Sequence, residues 1–112
     1  MEVGFMMEIN YIEKAESALL HTYNRYQVVL EEGDGVYLFD TEGKSYLDFA
    51  SGIAVCSLGY GHPVFTAALK NQVDKLLHTS NLYYTAPVAD AATKLKAATQ
   101  MDRVFFTDRK ST

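Results

Sequence analysis

The segment 51–63, S-G-I-A-V-C-S-L-G-Y-G-H-P, divides the chain into a strand-rich first half and a helix-rich second half. Its glycines, Gly52, Gly59 and Gly61, permit sharp turns or the close approach of another molecule, whereas the apolar residues between them resist exposure to water. This combination is typical of a loop that covers a core and faces a partner or pocket, and equally of a buried connector without chemistry. Because strands come first and helices follow, we predict an α+β fold.

The first predicted element is a short amphipathic helix from Asn10 to about Leu20. Asn10 is a candidate N-cap, and Glu13 near the start suits the helix dipole. Apolar residues recur at helical spacing at Ile12, Ala15 and Leu19.

Three short runs rich in valine, tyrosine, leucine and phenylalanine follow, at 26–31, 36–40 and 45–50. They are separated by E-G-D-G and T-E-G-K, which are typical turn sequences. Two tight turns between three strands predict an antiparallel meander. Since apolar side chains occupy both faces of the middle run, we expect the sheet to need further cover.

The second half is predicted to hold two helices and a short strand. Pro63 suits a first helical turn, and an apolar stripe follows it at Phe65, Leu69, Val73 and Leu76. A polar and aromatic loop, 78–86, leads to a second helix that opens at Pro87. The run 103–107, R-V-F-F-T, has the pattern of a short buried strand.

Composition limits the classes of partner. The chain has 112 residues and a net charge of -4, and its pI is near 5.2, which argues against a nucleic-acid partner because such a protein needs a basic face. The single cysteine, Cys56, has apolar neighbours and is interpreted as a buried small residue in a reducing compartment. No leader or membrane-spanning pattern occurs, so we expect a cytoplasmic protein without a membrane partner.

The local motifs indicate no catalytic set by themselves. Gly43-Lys44-Ser45 lacks the glycine and the strand-to-helix context of a phosphate loop, so Gly43 is interpreted as a hairpin turn residue. Gly59-x-Gly61 is interpreted as a turn into a helix rather than a dinucleotide site. The three histidines lack ligand spacing, and no metal is expected. Asn81, Tyr83 and Tyr84 fit a pocket wall, a core plug or a subunit contact equally well.

Five spaced motifs carry a family resemblance: T-Y-N-R at 22–25, G-D-G-V-Y-L-F-D-T-E-G-K-S-Y-L-D-F at 33–49, G-I-A-V at 52–55, L-G-Y-G-H-P at 58–63 and H-T-S-N-L-Y-Y at 78–84. Together they resemble the N-terminal part of the class III pyridoxal-phosphate-dependent aminotransferases, and within them the branch that acts on N-acetylornithine. The resemblance extends from about Tyr23 to Thr107.

The resemblance implies a fold type I enzyme, a homodimer that binds pyridoxal 5'-phosphate. It would transfer an amino group between N-acetylornithine, or a related ω-amino donor, and 2-oxoglutarate in arginine biosynthesis. It further implies that residues 1–80 belong to the small domain and that 81–112 begin the large cofactor-binding domain. The substrate-binding residues implied are Gly52, Ile53, Ala54, Asn81 and Tyr84.

The resemblance ends at Asp108. Members of this family continue there with N-S-G-T/A-E-A, which grips the cofactor phosphate, whereas this chain has Asp108, Arg109 and Lys110 in those places. Lys110 lies in a polar tail without an apolar pocket, so it is not expected to form the Schiff base. We therefore expect a truncated member that neither binds the cofactor nor turns over substrate alone. The alternative is a non-catalytic interaction module that binds itself or a full-length relative.

Overall fold

The computed structural model describes residues 9–108, which form two compact units divided between Lys70 and Asn71. The order of elements is a helix, three strands, a single helical turn and two longer helices. The predicted α+β class is therefore confirmed. The predicted boundary between small and large domains at residue 80 stays a prediction.

Helix α1 spans Tyr11–Ala18. Its predicted N-cap is confirmed, because the side-chain oxygen of Asn10 accepts a hydrogen bond from the backbone N–H of Glu13 at 3.1 Å, which satisfies a donor that no helical carbonyl reaches. The helix ends sooner than predicted, since Leu19 is already extended with φ -100°.

The meander consists of β1 (Leu30–Asp34), β2 (Tyr37–Asp40) and β3 (Ser45–Leu47), paired antiparallel in that order. The predicted topology is confirmed. The predicted bounds of the first strand, 26–31, were wrong: β1 runs through Gly33 and Asp34, because Asp34 still pairs with Tyr37. The turn is consequently confined to Gly35, which has φ +60°, and Val36. The third strand also ends earlier than predicted.

Short helix α2 (Ser51–Ala54) and helices α3 (Pro63–Lys75) and α4 (Ala86–Thr99) follow. Both predicted proline-led helices are confirmed, and Pro87 lies in the first turn of α4. The strand predicted at 103–107 was wrong, because these residues enter no ladder. Residues of strand-like composition need a neighbouring strand to take their backbone hydrogen bonds.

Among residues 9–108 no side chain is fully buried, and several large apolar side chains are almost completely exposed, including Phe49 at 90% and Leu82 at 86%. The apolar faces that the sequence indicates therefore lack complete cover within the described part of the chain. Cys56, predicted to be buried, is only half-buried. Within the same residues no helix is long and apolar enough to cross a membrane.

Candidate functional site

Helix α2 is a left-handed turn. Four successive residues have positive φ: Ser51 at 49°, Gly52 at 61°, Ile53 at 66° and Ala54 at 62°. Only glycine adopts this conformation without strain, and each L-residue held in a left-handed helix costs about 1–2 kcal/mol. A β-branched residue such as Ile53 is especially unusual there. Conformations of this kind persist where the surrounding structure fixes them, and they are concentrated at functional sites.

Hydrogen bonds close the turn at its C-terminal side. The N–H of Ala54 donates to the carbonyl of Ala50 at 3.0 Å, and the carbonyl of Ser51 accepts from both Val55 and Cys56 at 2.8 Å. Within residues 9–108, the N–H groups of Gly52 and Ile53 meet no acceptor. The side chain of Ile53 is 91% exposed. The turn thus presents two backbone donors and an apolar side chain to its surroundings.

Asp48 anchors the N-terminal side of the turn. Its Oδ1 accepts from the backbone N–H of Ala50 at 2.9 Å and of Ser51 at 3.0 Å. Its Oδ2 accepts from the hydroxyl of Tyr60 at 2.6 Å. The Tyr60 hydroxyl, and then the two backbone N–H groups, favour the ionised carboxyl and hold the pKa of Asp48 below its ordinary value. The same contact with Asp48, together with desolvation, raises the pKa of Tyr60 to about 12.

Tyr60 is in turn fixed to the β1–β2 hairpin. Its backbone N–H and carbonyl exchange two hydrogen bonds of 2.9 Å with Gly35. Its ring lies against Gly33, where a Cβ atom would be 2.6 Å from the Tyr60 Cγ. Asp48 therefore connects the left-handed turn, through Tyr60, to a sheet hairpin that lies far from it in sequence.

An open cleft of about 750 Å³ lies between α1 and the meander, and its lining includes Tyr11, Glu31 and Lys44. Asp40, also in the lining, is bonded in the same way as Asp48. Its Oδ1 accepts from the N–H groups of Glu42 and Lys44, each at 2.9 Å, and its Oδ2 accepts from the hydroxyl of Tyr46 at 2.8 Å. The Tyr46 contact is the main cause of the lowered pKa of Asp40. Gly43, with φ +83°, completes this hairpin turn as predicted.

A second cleft, of about 490 Å³, lies between the end of α3 and the start of α4. Asn81, Tyr83 and Tyr84 line it, and the loop is held by hydrogen bonds from Leu82 N–H to the hydroxyl of Ser80 and from Tyr83 N–H to the Ser80 carbonyl. Tyr84 is fully exposed, at 105%. Within its own unit it is therefore not a core plug, and the pocket wall and the subunit contact both stay open.

The structure places the predicted substrate-binding residues in two groups. Gly52, Ile53 and Ala54 share the left-handed turn in the first unit, and Asn81 and Tyr84 share the second cleft in the other unit. Sequence reasoning missed Asp48 and Tyr60. A signal was present for Asp48, since an aspartate two or three residues before a turn commonly accepts backbone N–H bonds. No local signal pairs it with a tyrosine twelve residues later.

Comparison with known families shows which family the chain belongs to. A model of the family Aminotransferase class-III matches residues 19–111. The chain belongs to the class-III aminotransferases. The acetylornithine aminotransferase of Gloeobacter violaceus is 52% identical over 91 residues, which are 81% of this chain and 23% of that enzyme. The chain thus spans about a quarter of the length of the relatives it matches.

Solved structures agree with this assignment. The acetylornithine aminotransferase of Elizabethkingia anophelis matches with a TM-score of 0.79 at 34% identity, over 83% of this chain and 24% of that one. An ornithine aminotransferase of Toxoplasma gondii matches with a TM-score of 0.79 at 26% identity, over 83% and 22%. That structure has pyridoxal phosphate at partial occupancy in its active site. The predicted family, and its dependence on pyridoxal phosphate, are confirmed.

The described residues do not fit the cofactor. It requires a lysine for covalent attachment, an acidic partner for the pyridine nitrogen and donors for the phosphate. The second cleft is lined by no lysine, aspartate or glutamate. In the first cleft, Lys44 lies over the ring of Tyr46, 5.2 Å from its centroid. Lys110 lies outside the described residues. We therefore assign no chemical step to residues 9–108. Within them, no cluster of His, Cys, Asp and Glu could hold a metal.

Proposed function

We propose that this chain is the N-terminal segment of a pyridoxal-phosphate-dependent aminotransferase and that it supplies the substrate-facing wall of the active site. The observation that carries the proposal is the anchored left-handed turn Ser51–Ala54, which lies within the segment that matches the family and exposes Ile53 and two backbone donors. The wall would bind the donor through Gly52, Ile53 and Ala54. By the family resemblance, Asn81 and Tyr84 would help to shape the pocket or the subunit contact of the whole enzyme.

The proposed reaction transfers an amino group from N-acetylornithine, or a related ω-amino donor, to 2-oxoglutarate. Support comes from relatives named acetylornithine aminotransferase. We further propose that the whole enzyme is a cytoplasmic homodimer in arginine biosynthesis, and that residues 1–80 belong to its small domain and 81–112 begin its large domain. With a net charge of -4, we expect no nucleic-acid partner. Since the sequence has no run of about 18 apolar residues, we expect no membrane partner either.

The 112-residue chain is expected to be inactive alone, because Lys44, the one lysine in the lining of the two clefts, lies over the ring of Tyr46, and the second cleft is lined by neither lysine nor acid. The test has two arms. The purified chain is assayed with pyridoxal phosphate, N-acetylornithine and 2-oxoglutarate, and no turnover is expected. A chimera is then built in which residues 23–107 of this chain, without Asp108, Arg109 and Lys110, replace the corresponding segment of the Gloeobacter violaceus enzyme.

The chimera is expected to transaminate N-acetylornithine within about tenfold of the unmodified enzyme, since the matched segment is 52% identical. Ornithine and other ω-amino acids serve as competing donors. Turnover by the chain alone, with loss of activity in a Lys110→Ala variant, would contradict the expected inactivity of the chain. A folded, cofactor-loaded chimera that transaminates none of the donors would contradict the proposed role of the wall.

A second candidate function is a non-catalytic interaction module, and the exposed apolar side chains favour it. Phe49, Ile53 and Leu82 are all at least 86% exposed, and apolar surface of this kind promotes association. Sedimentation velocity of the purified chain, alone and mixed with the Gloeobacter violaceus enzyme, separates the two functions. A stable complex together with an inactive chimera would favour the module.

A further inference from the structure

The conformation of the left-handed turn needs a cause outside the turn. Three of its four residues, Ser51, Ile53 and Ala54, are L-residues at φ values between 49° and 66°, where their own preference is for the right-handed region. Burial does not hold Ile53 in place, because its side chain is 91% exposed. The hydrogen bonds at its borders must therefore hold the turn.

Asp48 makes the bonds at the entrance. One carboxylate oxygen accepts the N–H groups of Ala50 and Ser51, the two residues at which the backbone passes from right-handed to left-handed. The other oxygen accepts the hydroxyl of Tyr60 at 2.6 Å. Hydrogen bonds to an ionised acceptor are stronger than those between neutral groups. Because Tyr60 holds one carboxylate oxygen, the other oxygen has a fixed position, and the N–H groups of Ala50 and Ser51 must point toward it.

Tyr60 connects this arrangement to a rigid element. Two backbone hydrogen bonds of 2.9 Å pair it with Gly35 at the hairpin turn, and its ring packs on Gly33 without room for a Cβ atom. The position of the Asp48 carboxylate, and with it the entrance of α2, is thereby set by the sheet. A binding group whose support is rigid recognises its ligand without further ordering cost.

We propose that Asp48 is a positioning residue for substrate recognition: it sets the orientation in which Ile53 and the N–H groups of Gly52 and Ile53 face the amino donor. This inference rests on the proposed function. Loss of the carboxylate should let the turn relax toward right-handed backbone and displace the wall. A misplacement of about 1 Å at a binding wall can cost up to about 100-fold in rate.

The chain contains a matched control. Asp40 has the same number and kind of contacts, two backbone N–H groups and one tyrosine hydroxyl, but it fixes the β2–β3 hairpin and not α2. Asp48→Ala and Asp40→Ala therefore remove equivalent hydrogen bonds from one fold. An effect on substrate binding that is confined to Asp48→Ala identifies positioning of the wall, because general loss of stability would follow both changes.

The kinetic test uses the Gloeobacter violaceus chimera that contains residues 23–107 of this chain. Asp48→Ala is expected to raise KM for N-acetylornithine about tenfold or more, with a smaller change in kcat. Tyr60→Phe should raise KM less, and Asp48→Asn, which keeps an acceptor for the two N–H groups, should restore most of the loss. Asp40→Ala should leave KM within about twofold. Equal KM values in Asp48→Ala and Asp40→Ala would overturn the proposal.

Amide hydrogen exchange in the 112-residue chain tests the same point without activity. Asp48→Ala should speed exchange at Ala50 and Ser51 by about tenfold or more, and exchange at Val55 and Cys56 with it. Asp40→Ala should leave these amides unchanged. If the parent chimera is inactive but exchange responds as described, the proposed function fails, and with it the role of Asp48 in substrate recognition, while the finding that Asp48 holds the turn stands. Unchanged exchange in Asp48→Ala overturns the inference whatever the chimera does.

Discussion

Replacing Gly59 by alanine tests the link between the hairpin and the segment that follows α2. Gly59 has φ +77°, and a Cβ atom there would lie 2.7 Å from the carbonyl oxygen of Gly35, well inside ordinary contact of about 3.5 Å. Alanine in the left-handed region costs about 1–2 kcal/mol. The clash falls on backbone, so the two hydrogen bonds between Gly35 and Tyr60 must lengthen or break. Each is worth about 0.5–1.5 kcal/mol.

The expected loss for Gly59→Ala is therefore about 2–5 kcal/mol of unfolding free energy. Gly61→Ala is the matched control, since Gly61 has φ +71° but no atom within 4 Å of the added methyl group; it should cost only the strain, about 1–2 kcal/mol. Urea unfolding followed by circular dichroism gives both values, and amide exchange at Gly35 and Tyr60 reports the local opening. If Gly59→Ala is no more destabilising than Gly61→Ala, the contact with the hairpin does not exist in solution.

Three further predictions concern the anchored carboxylates and the first helix. The pKa values of Asp48 and Asp40 lie below the ordinary value. The two carboxylates should therefore stabilise the fold fully above about pH 3.9, and this stabilisation should be lost as pH falls through their lower folded-state pKa values. In the variant with both residues changed to Asn, the free energy of unfolding should depend less on pH in acid. The pKa of Tyr60 is raised to about 12, so its protonated hydroxyl should stabilise the fold fully below about pH 10. That stabilisation should be lost as pH rises through 12. Ultraviolet titration of the parent chain and of Tyr60→Phe gives the ionisation of Tyr60 as the difference between the two curves. A midpoint near pH 10 for that difference would refute the contact with Asp48. Asn10→Ala should cost about 0.5–2 kcal/mol of helix stability while Asn10→Ser keeps most of it, as measured by circular dichroism.

Much of the fold could be predicted from local sequence. The turn sequences around Gly35 and Gly43 predicted the meander, and the prolines at the starts of α3 and α4 predicted both helices, because turn chemistry and helix starts depend on adjacent residues. The error at 103–107 has the opposite origin. A strand forms only where another strand receives its hydrogen bonds, and composition does not report whether that neighbour is present.

The candidate site could be predicted only in part. The family resemblance indicated Gly52, Ile53 and Ala54, but not their left-handed backbone, since isoleucine and alanine both disfavour it. That conformation depends on Asp48 and Tyr60, whose pairing joins positions 12 residues apart. Hydrogen bonds at such separation leave no periodic pattern in a sequence, so periodicity could not have revealed them.

The glycines around the hairpin show how the sheet holds the left-handed turn. Gly33 leaves room for the Tyr60 ring and Gly59 leaves room for the Gly35 carbonyl, at distances where a Cβ atom would clash. These close approaches lock Tyr60 onto the sheet, and Tyr60 in turn fixes the Asp48 carboxylate at 2.6 Å. The strained turn therefore takes its geometry from the sheet and not from its own residues. Under the proposed function, the strain at Ile53 would already be met on folding, so substrate binding would need no further ordering of the turn.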